Sequence, residues 1–208
     1  SWKKNWEPDP IGRKILILPA WLDVPEKFLE RTIIRLDPGS AFGTGSHPST
    51  RLCIEALDDN PPVGKTIADL GCGSGILSLT ALKLGAKSTF SVDTDSLAIS
   101  ATKINSELNN VSEKVLNVCL GSIDELKSNI PEKKIDLMLC NILAPVIKSL
   151  GPGFEKIIGY KGKVILSGLL VDQIKELQEF FFLLGWHLLE IKTKDQWALM
   201  TLTLKSSY

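Results

Sequence analysis

Paired cysteines, net charge and long apolar runs are all missing from this chain of 208 residues. Its four cysteines, Cys53, Cys72, Cys119 and Cys140, stand singly, so no C-x-x-C pair marks a zinc site or a redox couple. Two of them lie inside apolar runs, and reduced, buried thiols are the expected state for most. Lysine plus arginine and aspartate plus glutamate each number 24, a balance that lacks the basic footprint of a general nucleic-acid binder. No stretch approaches the roughly 18 consecutive apolar residues of a membrane helix. A soluble, cytoplasmic protein without metal, membrane or direct nucleic-acid contacts is therefore expected. No internal repeat or low-complexity tract divides the chain, and its length suits one large α/β domain.

What is present centres on Thr66 to Ile76, T-I-A-D-L-G-C-G-S-G-I. A short apolar run of the kind seen in buried parallel strands leads directly into Gly71, Gly73 and Gly75, and a helical pattern follows to Gly85. Glycines let a backbone approach a ligand closely, and a helix N-terminus offers unpaired N–H groups. Before this unit, residues 1 to 10 read as a linker, and Arg13 to Pro19 and Arg31 to Leu36 as two strands in a hairpin-like arrangement. Asp37 to Thr50, D-P-G-S-A-F-G-T-G-S-H-P-S-T, reads as a structured loop, with Ser49 or Thr50 capping a helix over Arg51 to Leu57. Beyond the glycines come strands at Ser88 to Val92, Lys114 to Leu120, Ile135 to Cys140 and Lys163 to Ser167. Helices alternate with them, one being split near Gly151-Pro152. Trp186 to Lys192 and Trp197 to Lys205 close the chain as two paired strands.

This alternation implies an α/β fold of Rossmann-like type: a mostly parallel seven-stranded sheet with a C-terminal antiparallel hairpin and helices on both faces. Residues 1–36 are assigned to a linker and N-terminal strands, and 37–208 to the main domain. Ligands of such sheets bind at the carboxyl ends of the strands, where strand order reverses. Gly71, Asp93, Ser122 and Asn141 all follow strand ends.

The dinucleotide fingerprint needs a third glycine where this chain has Ile76. Asp69 adds a carboxylate that would repel phosphates and suit an amino or sulfonium group, so the chemistry favours S-adenosylmethionine over NAD. Asp93, roughly twenty residues past the glycines, can accept from both ribose hydroxyls, with Asp95 the second choice; a helix cap is the alternative role. Ser122 stands where an adenine edge would be read. Asn141 is the candidate catalytic position: its side-chain oxygen and the Ile142 carbonyl can accept hydrogen bonds from a target nitrogen and aim its lone pair at a methyl carbon. A turn asparagine is the other reading. His47 could act as a base or be structural, and His187 is read as structural.

With these motifs placed, the chain resembles the ribosomal protein L-eleven methyltransferase family (PrmA). The resemblance rests on L-D-P-G-S-A-F-G-T-G-S-H-P-S-T, D-L-G-C-G-S-G-I-L, V-D-T-D and N-I-L-A, and covers nearly the whole chain. It implies a class I S-adenosylmethionine-dependent methyltransferase that methylates lysine side-chain and N-terminal amines of a large-subunit ribosomal protein; separately from the resemblance, a monomer is expected. It also implies cofactor or substrate contacts at Thr50, Gly71, Asp93 and Asn141, with Phe42 and Thr44 closing over the methionine end. Family members carry a small N-terminal domain before a Trp-rich linker like Ser1 to Trp6, so the chain is expected to be the catalytic domain of a longer protein or a shortened relative. An RNA or small-amine methyltransferase, or a non-catalytic cofactor-binding or ribosome-interaction module, would share the cofactor residues. A dehydrogenase is the remote third choice.

Overall fold

The structure is a computed structural model in which residues 6–37, 39, 44–131 and 135–205 are described. It opens with a three-stranded sheet formed by β1 (Asp9–Ile11), β2 (Ile15–Pro19) and β3 (Thr32–Leu36). β1 lies antiparallel to β2, whereas β3 runs parallel to it. The hairpin-like arrangement expected for the two segments is therefore corrected. The intervening residues cross over through a short 3-10 turn at Glu26–Phe28, and Arg31 fastens the crossover by donating to the Ile15 carbonyl at 2.9 Å. Part of the expected linker is also strand. Pro10 breaks no ladder there, because β1 is an edge where a missing N–H costs no pairing.

The main sheet contains β4 (Thr66–Leu70), β5 (Ser88–Asp93), β6 (Leu116–Leu120), β7 (Ile135–Asn141), β8 (Ile158–Leu170), β9 (Trp186–Lys194) and β10 (Trp197–Leu204). Their order is β6-β5-β4-β7-β8-β10-β9. The first five are parallel, and β10 is antiparallel to both of its neighbours. The mostly parallel seven-stranded sheet with a C-terminal hairpin is thus present. β8 is longer than its apolar centre indicates, since a register shift and a positive φ of 58° at Lys161 let the strand begin at Ile158.

The alternation of side chains along each strand separates two cores. Ala68, Leu70, Met138, Cys140, Val164 and Leu166 face one side, where α4 (Ile123–Asn129), α5 (Ala144–Leu150) and α6 (Ile174–Leu183) contribute Leu126, Ile147, Leu177 and Phe181. Ile67, Leu137, Leu139 and Ile165 face the other, against α1 (Pro48–Asp59) and α2 (Ile76–Lys83). Ile11, Ile15, Ile17, Ile34 and Leu36 join that second core, so the leading sheet extends it. The remaining helix, α3 (Ser96–Leu108), crosses between β5 and β6. Gly151-Pro152 does split the helix after β7, the second piece being a 3-10 turn over Gly151–Lys156. Among the described residues no helix is long and apolar enough to cross a membrane.

Candidate active site

The strand order reverses between β4 and β7, and the carboxyl ends of those two strands form one corner of the sheet. β4 enters the glycine turn there. Gly71, Gly73 and Gly75 have φ of 78°, 54° and 79°, the left-handed region that a side chain would strain. Two of them also have no room for one. A Cβ on Gly71 would lie 2.6 Å from Ile142 Cγ2, and one on Gly75 2.8 Å from Thr102 Cγ2. Ile142 thus packs directly on the turn, which joins the two motifs expected to flank a reacting centre.

The carboxylates take different stations. Asp93, at the end of β5, accepts from Gly73 N–H at 2.9 Å with Oδ2 and from Asp95 N–H at 3.0 Å with Oδ1. It is half-buried, and each oxygen keeps a further lone pair for a hydroxyl donor. Asp95 is instead the cap of α3, donating nothing to the turn but accepting from Leu97 N–H at 2.9 Å. Asp69 is only 1% exposed and lies behind the turn, accepting from Ser78 Oγ at 2.6 Å. Burial pushes its pKa up to about 6, against hydrogen bonds from Ser78 that lower it. Its charge therefore reaches the corner through the protein rather than by an exposed carboxylate.

Across the corner, Asn141 ends β7 and donates from Nδ2 to Thr50 Oγ1 at 3.2 Å. Thr50 is free for this bond because of how α1 starts. The expected cap at Ser49 or Thr50 is corrected: His47 is the cap, Nδ1 accepting from Ser49 N–H at 3.1 Å, and the helix begins at Pro48. Thr50 then stands one turn in, buried, with its hydroxyl turned to β7. The His47 ring meets Trp197 edge-on at 4.5 Å between centroids, so its acceptor nitrogen and its face are both engaged in structure. Thr44 Oγ1 lies 2.9 Å from Ser46 Oγ in the preceding loop. Phe42 lies outside the described residues. Ser122 heads α4, its N–H donating to Glu125 Oε2 at 2.7 Å.

Sequence reasoning missed Ser167 and Gly168. Ser167 Oγ donates to the Ser49 carbonyl at 2.8 Å, tying the end of β8 to the start of α1. Gly168 has φ of 79°, and a Cβ there would lie 2.6 Å from the Ile142 carbonyl oxygen and 3.2 Å from Asn141 Oδ1. A glycine closing the apolar strand K-V-I-L-S was a visible signal, of the same kind as Gly71 after β4. Cys53, Cys72 and Cys140 are buried thiols around this corner and Cys119 is half-buried; burial pushes Cys53 up to about 12.

The arrangement fits S-adenosylmethionine. The turn approaches closely, a half-buried carboxylate is available to hydroxyls, and a buried negative charge stands behind it where a pyrophosphate would be repelled. Ile76, in the place of the third dinucleotide glycine, is buried and packs toward Gly45 and the leading sheet. The fold and this corner define a class I S-adenosylmethionine-dependent methyltransferase. Comparison with known proteins narrows the class. The family profile described as ribosomal protein L11 methyltransferase (PrmA) matches residues 1–205, and the chain belongs to that family. The ribosomal protein L11 methyltransferase of Prochlorococcus marinus is 52% identical over 202 residues, covering 97% of this chain and 66% of the relative. That of Parasynechococcus marenigrum is 54% identical over 200 residues, covering 96% and 69%. The chain thus spans about two thirds of the length of these relatives. The crystal structure of a ribosomal protein L11 methylase from Lactobacillus delbrueckii superposes with a TM-score of 0.87 at 29% identity, covering 97% of this chain and all of that one.

Proposed function

We propose that this chain is the methyl-transfer unit of an S-adenosylmethionine-dependent protein N-methyltransferase, acting on lysine side-chain and N-terminal amines of a large-subunit ribosomal protein. The observation that carries the reading is the Asn141–Thr50 bond, set beside the glycine turn by the Ile142–Gly71 contact. Bound there, S-adenosylmethionine supplies a methyl group on a sulfonium centre. Gly71, Gly73 and Gly75 give it close backbone approach, Asp93 accepts from the ribose hydroxyls, and Ser122 borders the adenine. Thr44 covers the methionine end, and residues 37–208 carry this machinery.

Asn141 directs the acceptor. In this structure the Asn141 amide turns Nδ2 to the Thr50 hydroxyl, which leaves Oδ1 uncommitted to that bond. Oδ1 and the Ile142 carbonyl are then the pair that accepts N–H from the incoming amine and aims its lone pair. The amine must first be neutral. For a lysine of pKa ~10.4 that costs about 4.6 kcal/mol at pH 7, and a water-excluding pocket lowers it by disfavouring the ammonium form. With His47 engaged in capping, the proton leaves to water before transfer. The chain works in the cytoplasm as a monomer, without binding nucleic acid directly.

Titration calorimetry with S-adenosylmethionine, followed by mass spectrometry of the ribosomal protein incubated with both, tests the reading. Saturable binding and mass gains of successive methyl groups on amines are expected. A folded protein that binds neither S-adenosylmethionine nor S-adenosylhomocysteine overturns it, and methyl transfer to RNA alone replaces its substrate.

A further inference from the structure

The glycine turn is held from behind by a polar strip on α3. Thr102 Oγ1 donates to the Gly73 carbonyl at 3.0 Å, and Asn105 Nδ2 donates to the Ser74 carbonyl at 2.8 Å. Both side chains are fully buried in a helix face where apolar residues would otherwise pack. Asn105 also bonds in the other direction, its Oδ1 accepting from Asp37 N–H at 2.9 Å, directly after β3. One turn further along, Asn109 makes the same kind of clasp without touching the turn. Its Oδ1 accepts from Arg35 N–H at 2.8 Å and its Nδ2 donates to the Arg35 carbonyl at 2.7 Å.

We infer that Asn105 is a positioning residue for methyl-donor binding, fixing the glycine turn against the end of the leading sheet. In a trans peptide the carbonyl and the following N–H point in opposite directions. Holding the Gly73 and Ser74 carbonyls toward α3 therefore sets the two peptide planes that follow them, and the N–H groups of Ser74 and Gly75 with them. Glycine has the widest backbone freedom, and within the turn one of these planes is also held by Gly75 N–H donating to the Cys72 carbonyl at 2.8 Å, so the clasp from α3 adds to that bond. Because Asn105 is bonded on its other side to Asp37, the turn takes its position from β3 as well as from β4. The inference rests on reading the turn as the seat of the methyl donor.

Asn105→Leu and Asn109→Leu form the test, since both cut α3 from the leading sheet and only the first releases the turn. Affinity for S-adenosylhomocysteine is measured by calorimetry, and amide exchange is followed by NMR at Ser74 and Gly75 relative to β4 and β5. Asn105→Leu is expected to weaken binding about tenfold, the consequence of ~1.4 kcal/mol of lost preorganisation, and to speed exchange at the two turn amides. Asn109→Leu is expected to lower the melting temperature while leaving affinity and turn exchange as in the parent. Equal effects of the two variants on affinity, or unchanged affinity in Asn105→Leu, overturn the inference. If the parent protein binds no S-adenosylhomocysteine, the proposed function fails, and unchanged turn exchange in Asn105→Leu would then overturn the positioning role separately. Should Asn105→Leu not fold, Thr102→Val removes the bond to Gly73 and the 3.5 Å contact with Cys72 Sγ while keeping the side chain's shape. Weaker binding in that variant supports the role, and parental affinity overturns it.

Discussion

Two residues separate reactivity from binding. Asn141 and Thr50 form one unit in which the threonine hydroxyl holds the amide by its Nδ2, so removing either should damage transfer more than donor affinity. Asn141→Ala is expected to lower kcat by about 100-fold, the scale seen when one aligned polar group is removed from a reacting centre, with S-adenosylhomocysteine affinity unchanged in calorimetry. Thr50→Val should fall between parent and Asn141→Ala, because the amide remains but loses the partner that holds it. Asp69 makes a different prediction, on pH. Its folded pKa of about 6 stands above the ordinary 3.8, so the folded state takes up this proton first as pH falls. Stability from the group is fully present below about 4 and is lost as pH rises through 6, by about 3 kcal/mol at most from ~2 units at 1.36 kcal/mol each. Denaturation midpoints of parent and Asp69→Asn, compared from pH 4 to 8, should therefore diverge as pH rises, with the parent losing ground. A constant difference across that range would remove the charge explanation.

At the scale of elements, the corner depends on how strands end and helices begin. His47 rather than Ser49 or Thr50 caps α1, and that shift of register is what leaves Thr50 facing β7. His47→Ala should cost about 1 kcal/mol by loss of the cap, more with the lost Trp197 contact, and should lower activity through Thr50. A thermal melt and a kcat measurement check both. Much of this level was legible in the sequence. β4, the glycine turn and α2 were written in one continuous stretch, since burial on both sides of a parallel strand leaves an apolar run, here broken by Asp69. The inner position of β10 was also readable in part: W-A-L-M-T-L-T-L is buried along most of its length, while W-H-L-L-E-I-K-T-K alternates as an edge strand does. What local pattern could not supply was pairing between distant segments. The parallel run of β3 beside β2 is set by the crossover that Arg31 holds, and the cap of α1 by a ring contact with Trp197, 150 residues along. Gly168 carried a local signal, but the reason for it was not local, because the Ile142 backbone that crowds it lies just past the end of β7.

For the whole molecule, the question is how the leading sheet stays fixed to the main one. Besides the shared apolar core, one buried carboxylate joins them. Asp58, near the end of α1, accepts from Arg13 N–H at 2.6 Å with Oδ2, at the turn between β1 and β2. It is 1% exposed, and Gly12 beside it has φ of 59° with its missing Cβ position 2.5 Å from that same oxygen. Turn and carboxylate therefore exclude any side chain between them. Gly12→Ala must both strain the backbone and push Asp58 away, leaving the Arg13 amide without its acceptor. The penalty for a buried polar group left unpaired is about 1–3 kcal/mol, and the strained φ adds to it. Asp58→Ala should show the unpaired amide without the strain, so its loss in denaturant unfolding should be the smaller of the two. Because both variants keep the Asn105 bonds to Asp37 and Ser74, S-adenosylhomocysteine affinity should stay at the parental level at temperatures where the protein is still folded. If they lose affinity along with stability, the whole leading sheet, and not the Asn105 bond alone, sets the geometry of the turn.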